Sequence, residues 1–213
     1  YVLEAIAPNA RGGTDCRVAT QQGLWAELSL GIPGRHNALN ATAALLALAR
    51  LGVDPAEAAA TLAQFRGALR RFEIKGEAGG VLVVDDYAHH PTEIRATLAA
   101  ARARYPERRI WVMFQPHTFS RVQALLDEFA ACFTDVDHVI VTDVYAARAS
   151  EHATIHASEL ARLIRHPEVR YIGALEDVVA DLLANLRAGD LLLTCGAGDG
   201  YLVGERVLAA LMR

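Results

Sequence analysis

Cysteine is scarce in this 213-residue chain: three residues, at 16, 132 and 195, with no CxxC pair. An odd, scattered set argues against a disulfide framework and a cysteine-rich zinc site, and fits a reducing cytoplasm. Long apolar runs are missing as well. The stretches 41–49 and 81–84 fall far short of the roughly 18 residues that span a bilayer. Neither sign of charge dominates, since 21 basic residues face 25 acidic ones for a net charge of −4. Such a balance supplies no field to draw nucleic acid or anionic lipid, so neither is an expected partner. The chain opens on Tyr1 without an initiator Met or a signal-peptide pattern, which reads as a piece cut from something longer. Internal repeats and low-complexity tracts are absent beyond Ala-rich helices. With 53% hydrophobic and 22% charged residues, dominant disorder is excluded, and the length allows one large domain or two modest ones.

What is present falls into two textures that meet near residue 72. Residues 2–30 read as a small antiparallel meander, with turn signals at Gly12-Gly13-Thr14-Asp15 and Gln21-Gln22-Gly23. A helix is expected from Asn37 to Arg50, stopped by Gly52. Asp54 and Pro55 cap and open the next, which should run to about Phe65. After Gly79-Gly80 short β-branched runs alternate with helical stretches, the pattern of an α/β domain with a mainly parallel sheet. Strands are expected at 81–84, 110–114, 138–142, 169–172 and 191–194. Helices are expected at 92–105, 121–133, 158–164, 175–186 and 201–211.

Four of these strands run straight into polar clusters. Val84 leads into Asp85-Asp86-Tyr87-Ala88-His89-His90-Pro91, and Phe114 into Gln115-Pro116-His117-Thr118-Phe119-Ser120-Arg121. Thr142 leads into Asp143-Val144-Tyr145, and Thr194 into Cys195-Gly196-Ala197-Gly198-Asp199. Ligands of open α/β sheets bind outside the carboxyl ends of the strands, so the clusters should share one crevice. Each has a plainer reading. Asp86 or Thr92 would cap the following helix and the histidines would be solvated. Alternatively, Asp85, His89, His90 and His117 would hold zinc or iron, although the adjacent histidines should diverge and no known metal spacing is present. Arg121, four residues after His117 at a helix start, suits a carboxylate or pairs with a nearby Glu.

The glycine run 196–200 lacks GxGxxG spacing and has no later strand, so a tight turn with an Asp199 cap competes with phosphate contact. Cys195 reads as packing rather than nucleophile. Upstream, Asn37 and Asn40 share one helix face, where one could cap the helix or both could read a purine edge. Arg70 and Arg71 are either solvated or placed to meet phosphate.

In this order, GRHNALN, RRFE, DDYAHHPTE, FQPHTFSR, DVYAAR and GAGD resemble the ATP-dependent Mur ligase family of peptidoglycan synthesis over essentially the whole chain. The resemblance implies residues 1–72 as the C-terminal portion of the central ATP-binding domain and 73–213 as the C-terminal Rossmann-like domain. It implies an acid–amino-acid ligase of the bacterial cytoplasm that joins L-alanine to UDP-N-acetylmuramate. ATP activates the carboxylate as an acyl phosphate, and the alanine amine then displaces phosphate. A sister ligase that recycles murein tripeptide shares AHHPT and is the alternative. Carried over by motif, His36, Asn37, Asn40, Arg71 and Asp86 contact the nucleotide. Tyr87, His89, His117 and Arg121 lie near the amino acid, and His89, His117 and Arg121 are the expected catalytic set. Mg2+ would be held by ATP phosphates and residues outside the chain, with no metal held by the chain itself. The phosphate loop and the UDP-sugar domain have no counterpart here, so the piece should be inactive alone. Two departures stand out: Thr118 replaces an arginine common in relatives, and Gly200 replaces a β-branched residue. A noncatalytic nucleotide- or amino-acid-binding module and a small metal-dependent hydrolase are the readings outside the family.

Overall fold

A computed structural model describes residues 1–146 and 155–213. Contacts divide the chain into two compact units, one of residues 1–68 with 99–106, the other of 69–98 with 107–213.

The first unit begins with an antiparallel sheet in the order β1 (Val2–Pro8), β2 (Thr14–Thr20), β3 (Gly23–Leu30), followed by α1 (Arg35–Arg50) and α2 (Pro55–Leu62). In β2, Thr14, Cys16 and Val18 are buried while Asp15 and Arg17 are exposed, the period-two alternation of a sheet covered on one face. The cover is helical. Ala38, Ala41 and Leu45 of α1 and Ala58 and Ala59 of α2 form one apolar cluster with Cys16, Val18, Leu28 and Leu30. Their spacing along α1 is that of one helix face. Gly52, at φ +87°, ends α1 as expected, with the Val53 N–H returning to the Leu48 carbonyl in a Schellman-type stop. Asp54 caps α2 by accepting from the Ala56 and Glu57 N–H groups. Two boundaries differ from expectation. Helix α1 starts two residues earlier, at Arg35, and α2 ends at Leu62, after which Gln64 and Phe65 close tight i→i−3 turns.

The second unit runs β4 (Glu73–Ala78), β5 (Val81–Asp86), α3 (Pro91–Arg104), β6 (Arg109–Phe114), α4 (Phe119–Ala124), α5 (Leu126–Ala130), β7 (His138–Val141), α6 (Ala157–Leu163), β8 (Val169–Tyr171), α7 (Leu175–Asn185), β9 (Asp190–Cys195) and α8 (Tyr201–Leu211). The last turns of α3 cluster with the first unit. The six-stranded sheet has the order β4-β5-β9-β6-β7-β8, parallel throughout except for β4. This is the mainly parallel α/β architecture expected.

Strands β5 and β9 are buried along their whole length, which explains their near-continuous apolar runs. On one face Val81, Val83, Trp111, Met113 and Leu192 pack with Val178 and Leu182 of α7 and Val203 and Val207 of α8. Because side chains alternate along a strand, Phe114 faces the other side, against Phe129 and Phe133 at 5.5 and 5.4 Å between ring centres. Gly204 lets α8 approach the sheet closely: a Cβ there would lie 3.0 Å from Val83 and 3.2 Å from Thr194.

Two features depart from expectation. Strand β4 carries no β-branched run and is interrupted by Gly76, where its register with β5 shifts. It forms because Gly79 and Gly80, both at positive φ (+56° and +76°), make the two-residue hairpin turn that brings it back onto β5. The single helix expected over 121–133 is two short ones, broken at Leu125 with φ −121°. Leu125 and its neighbours are good helix formers, so local propensity does not set this break.

After β5 the chain adds β6, β7 and β8 outward, then returns to insert β9 between β5 and β6. In open α/β sheets, ligands bind outside the carboxyl ends of the strands at such a reversal, here the ends of β5, β9 and β6.

Candidate active site

Asp85 and Asp86 end β5, yet neither projects as a free carboxylate. Asp85 Oδ2 accepts from Arg70 Nε at 2.9 Å and its Oδ1 from the Thr194 hydroxyl at 2.7 Å. Asp86, only 4% exposed, accepts the Phe72 N–H on Oδ2 at 2.9 Å and the Ala88 N–H on Oδ1 at 2.7 Å. Burial pushes its carboxyl above the ordinary value, while the two N–H groups, Arg71 and Thr97 oppose the rise.

The histidine pair diverges, as adjacency requires. His89 Nδ1 lies 2.9 Å from the Tyr87 carbonyl, whereas His90 Nδ1 accepts the Thr92 N–H at 3.3 Å. His90, not Asp86 or Thr92, is therefore the residue that caps α3. Glu93 completes the cap by accepting the His89 and His90 N–H groups at 3.1 and 3.2 Å, a reach-back typical of a capping box. Glu93 stands three residues after His90, the spacing that signals such a box in the sequence. Burial raises the Glu93 carboxyl, but the His89 N–H, the His89 charge, the His90 N–H and Arg71 outweigh it and leave the group below its usual value of 4.5. A lowered folded value means that the cap stabilises the fold above pH 4.5 and loses that effect as pH falls through the folded value. The melting temperature of Glu93→Gln should accordingly lie below that of the native protein at pH 7, and the gap should close as the pH is taken into the acid range.

The β6 cluster faces the same crevice. His117 and His89 rings are 5.8 Å apart, and Tyr87 meets His89 edge-on at 5.3 Å. Arg121 Nη1 lies 3.0 Å from His117 Nδ1 and donates to the His117 carbonyl at 3.1 Å. The guanidinium thus braces the imidazole. Tyr145, from the loop after β7, stacks on the same imidazole, with ring centres 5.8 Å apart and 14° between planes. A parallel bridge fixes this loop, through the Tyr145 N–H to the Pro116 carbonyl at 2.8 Å and the Thr118 N–H to the Tyr145 carbonyl at 3.1 Å. Thr118 sits at φ +65° and its side chain caps nothing, so helical geometry begins only at Phe119. The rest of the DVYAAR string, Ala147 and Arg148, lies outside the described residues.

The glycine run is a turn built around Gln115. Gln115 Nε2 donates to Asp199 Oδ1 at 2.7 Å and its Oε1 accepts the Gly200 N–H at 2.8 Å. Asp199 therefore does not cap α8, whose N-cap is Gly200 without a side-chain bond. A Cβ on Gly198 would lie 2.4 Å from Gln115 Oε1 and 2.6 Å from the Tyr145 ring, which explains the small residue there. Cys195 is buried and its thiol is pushed well above its ordinary value by burial, then by Asp86 and Asp85, consistent with packing rather than nucleophilic use.

In the first unit, Asn37 Nδ2 donates to the Pro33 carbonyl at 2.7 Å, so it does not cap α1; the N-cap is Gly34. Asn40 is exposed, and His36 is partly buried. Arg71 is half-exposed, 3.9 Å from Glu93 and 5.5 Å from the Tyr87 ring centre. The structure therefore gathers Tyr87, His89, His117 and Arg121 as expected, and adds Glu93, Gln115 and Tyr145. The four-residue metal reading fails on geometry: Asp85 is held by Arg70 and Thr194, and among the described residues no three metal-type side chains converge.

The family profile described as "Mur ligase, glutamate ligase domain" matches residues 70–198. The chain belongs to the Mur ligase family. A "UDP-N-acetylmuramate--L-alanine ligase" of Roseiflexus castenholzii is 52% identical over 183 residues, covering 86% of this chain and 38% of the relative. One from Alkaliphilus metalliredigens is 49% identical over 85% of this chain and 39% of the relative. The chain thus spans about two fifths of the length of these curated Mur ligases. Among solved structures, the UDP-N-acetylmuramate-alanine ligase MurC of Thermotoga maritima superposes with a TM-score of 0.79 at 29% identity, covering 98% of this chain and 45% of that one. The expected mixed α/β fold with a mostly parallel sheet is thus that of the Mur ligase C-terminal domain.

Proposed function

We propose that the chain is part of an ATP-dependent ligase that forms the amide between L-alanine and the carboxylate of UDP-N-acetylmuramate in cell-wall synthesis. The supporting observation is the convergence of Tyr87, His89, His117 and Arg121 on one crevice, in a chain about half identical to ligases bearing that name.

Such a site has two tasks for these residues. Arg121 supplies a fixed cation for the amino-acid carboxylate, with Thr118 contributing no second charge. The two imidazoles, His89 braced by Glu93 and His117 by Arg121 and Tyr145, orient the amine and take up its proton during attack on the acyl phosphate. His36, Asn37 and Asn40 are assigned adenine-side contacts with the nucleotide. Arg71 is separately assigned a phosphate contact, with Asp86 accepting the Phe72 N–H in the turn that carries it. Arg71 suits phosphate because its guanidinium is half-exposed and loosely paired. Mg2+ is assigned to the ATP phosphates and to residues outside this chain. No helix among the described residues is long and apolar enough to cross a membrane.

The test is ATP hydrolysis dependent on both UDP-N-acetylmuramate and L-alanine. The full-length protein that contains this chain should show it, and residues 1–213 alone should not. Robust turnover by the chain alone would overturn its reading as a part of the enzyme. A preference for murein tripeptide over L-alanine would move the assignment to the recycling ligase, whose solved relative from Psychrobacter arcticus superposes with a TM-score of 0.66 at 25% identity.

A further inference from the structure

Arg70, which the sequence leaves either solvated or placed to meet phosphate, has its side chain engaged within the protein instead. Nε donates to Asp85 Oδ2 at 2.9 Å, Nη2 to the Gly196 carbonyl at 2.8 Å and Nη1 to the Gly198 carbonyl at 3.2 Å. The guanidinium also lies over the rings of Tyr201 at 4.6 Å and Tyr87 at 5.0 Å. Its main chain is committed too: the N–H donates to Glu73 Oε2 at 2.8 Å and the carbonyl accepts the Tyr87 N–H at 2.7 Å. One residue thereby ties the turn before β4 to the end of β5 and to the loop between β9 and α8.

The turn so held is strained. Arg70 and Phe72 have φ of +56° and +47°, a region that non-glycine residues occupy only when their surroundings over-determine it. Arg71 stands between them, with its side chain 48% exposed. Tyr87 is the shared neighbour, since Arg70, Arg71 and His89 all pack on its ring.

We propose that Arg70 is a positioning residue that acts through Arg71 and Tyr87. Its clasp keeps residues 70–72 in their strained form, so that Arg71 faces solvent as the phosphate-side cation while the Tyr87 ring stays set against His89. Only arginine fits this role, because its rigid fork reaches one carboxylate and two carbonyls while its flat face covers the rings; a lysine ammonium is a point charge on a flexible stem. The inference rests on the reading of Arg71 as a phosphate contact.

The experiment uses the full-length protein with Arg70→Met, Arg70→Lys and Asp85→Asn, each alone and combined with Arg71→Ala. Arg70→Met should lower kcat/KM for ATP by about tenfold, and by less than about threefold in the Arg71→Ala background, because residues that act as a unit are non-additive. Lysine should not rescue, and Asp85→Asn should give the same pattern if Arg70→Met fails to fold. Tryptic cleavage of the Arg71–Phe72 bond, followed by mass spectrometry, should be faster in Arg70→Met than in the native protein. Equal losses in both backgrounds, or activity within about twofold of native, would overturn the proposal. If the native protein shows no alanine-dependent ATP hydrolysis, the ligase reading fails and proteolysis alone decides. Faster cleavage then sustains the clasp, and an unchanged rate ends it.

Discussion

Arg121→Ala should raise KM for L-alanine by about 100-fold, the size expected for a lost charge-assisted carboxylate bond, while KM for ATP stays within about twofold. Thr118 offers no replacement charge, so no second cation in this loop shares the load. The substitution also strips the His117 imidazole of its brace at 3.0 Å, and kcat should fall alongside. Arg121→Lys separates the two effects. A lysine keeps a charge for the carboxylate but not the bond geometry to His117, so it should recover part of KM and little of kcat. Steady-state kinetics of the full-length protein with each substrate varied in turn would read this out. Equal changes in the KM values of ATP and L-alanine would remove Arg121 from the amino-acid carboxylate.

Asp86→Ala should cost about 3–5 kcal/mol of stability, since it leaves two buried N–H donors, those of Phe72 and Ala88, without their acceptor. The effect should appear in nucleotide-free protein, by urea or thermal melting. A residue that acted only by touching nucleotide would leave that melt unchanged. The pH dependence follows from the raised carboxyl. A folded value above the ordinary 3.8 means that the protonated form is favoured in the native state, a contribution complete below pH 3.8 and lost as pH rises through the folded value. The stability of native protein relative to Asp86→Asn should therefore decline over that interval, and differential melting from pH 3 upward measures it. Asparagine presents one acceptor oxygen in place of two, so it should be milder than alanine but still destabilising.

Much of this site is legible in the sequence. The positions of Tyr87, His89, His117 and Arg121 directly after apolar runs placed them at strand ends, and the crevice follows from a general rule of parallel sheets. Less legible was what each polar group does there. Asp86 and Asp199 look alike in the sequence as carboxylates near helix starts. One clamps two backbone N–H groups beneath the site, and the other anchors Gln115 across the glycine turn. Neither is a helix cap, and the cap of α3 fell instead to His90 and Glu93. Strand β4 leaves no sequence signal because an edge strand half in water needs no apolar run, and its glycine reads as a breaker.

The sequence by itself determined the α/β class, the order and approximate extents of most elements, and the set of residues at the strand ends, because periodicity, caps and turn residues act over a few positions of chain. Tertiary structure alone decided which polar groups meet. Arg70 and Gly196 are 126 residues apart in the chain and 2.8 Å apart across a hydrogen bond. Inserting β9 between β5 and β6 brings them together, and no local pattern encodes that choice. The three scattered cysteines belong to the first kind of knowledge: the structure finds all of them buried and unpaired, with Cys132 pushed up to about 12 by burial.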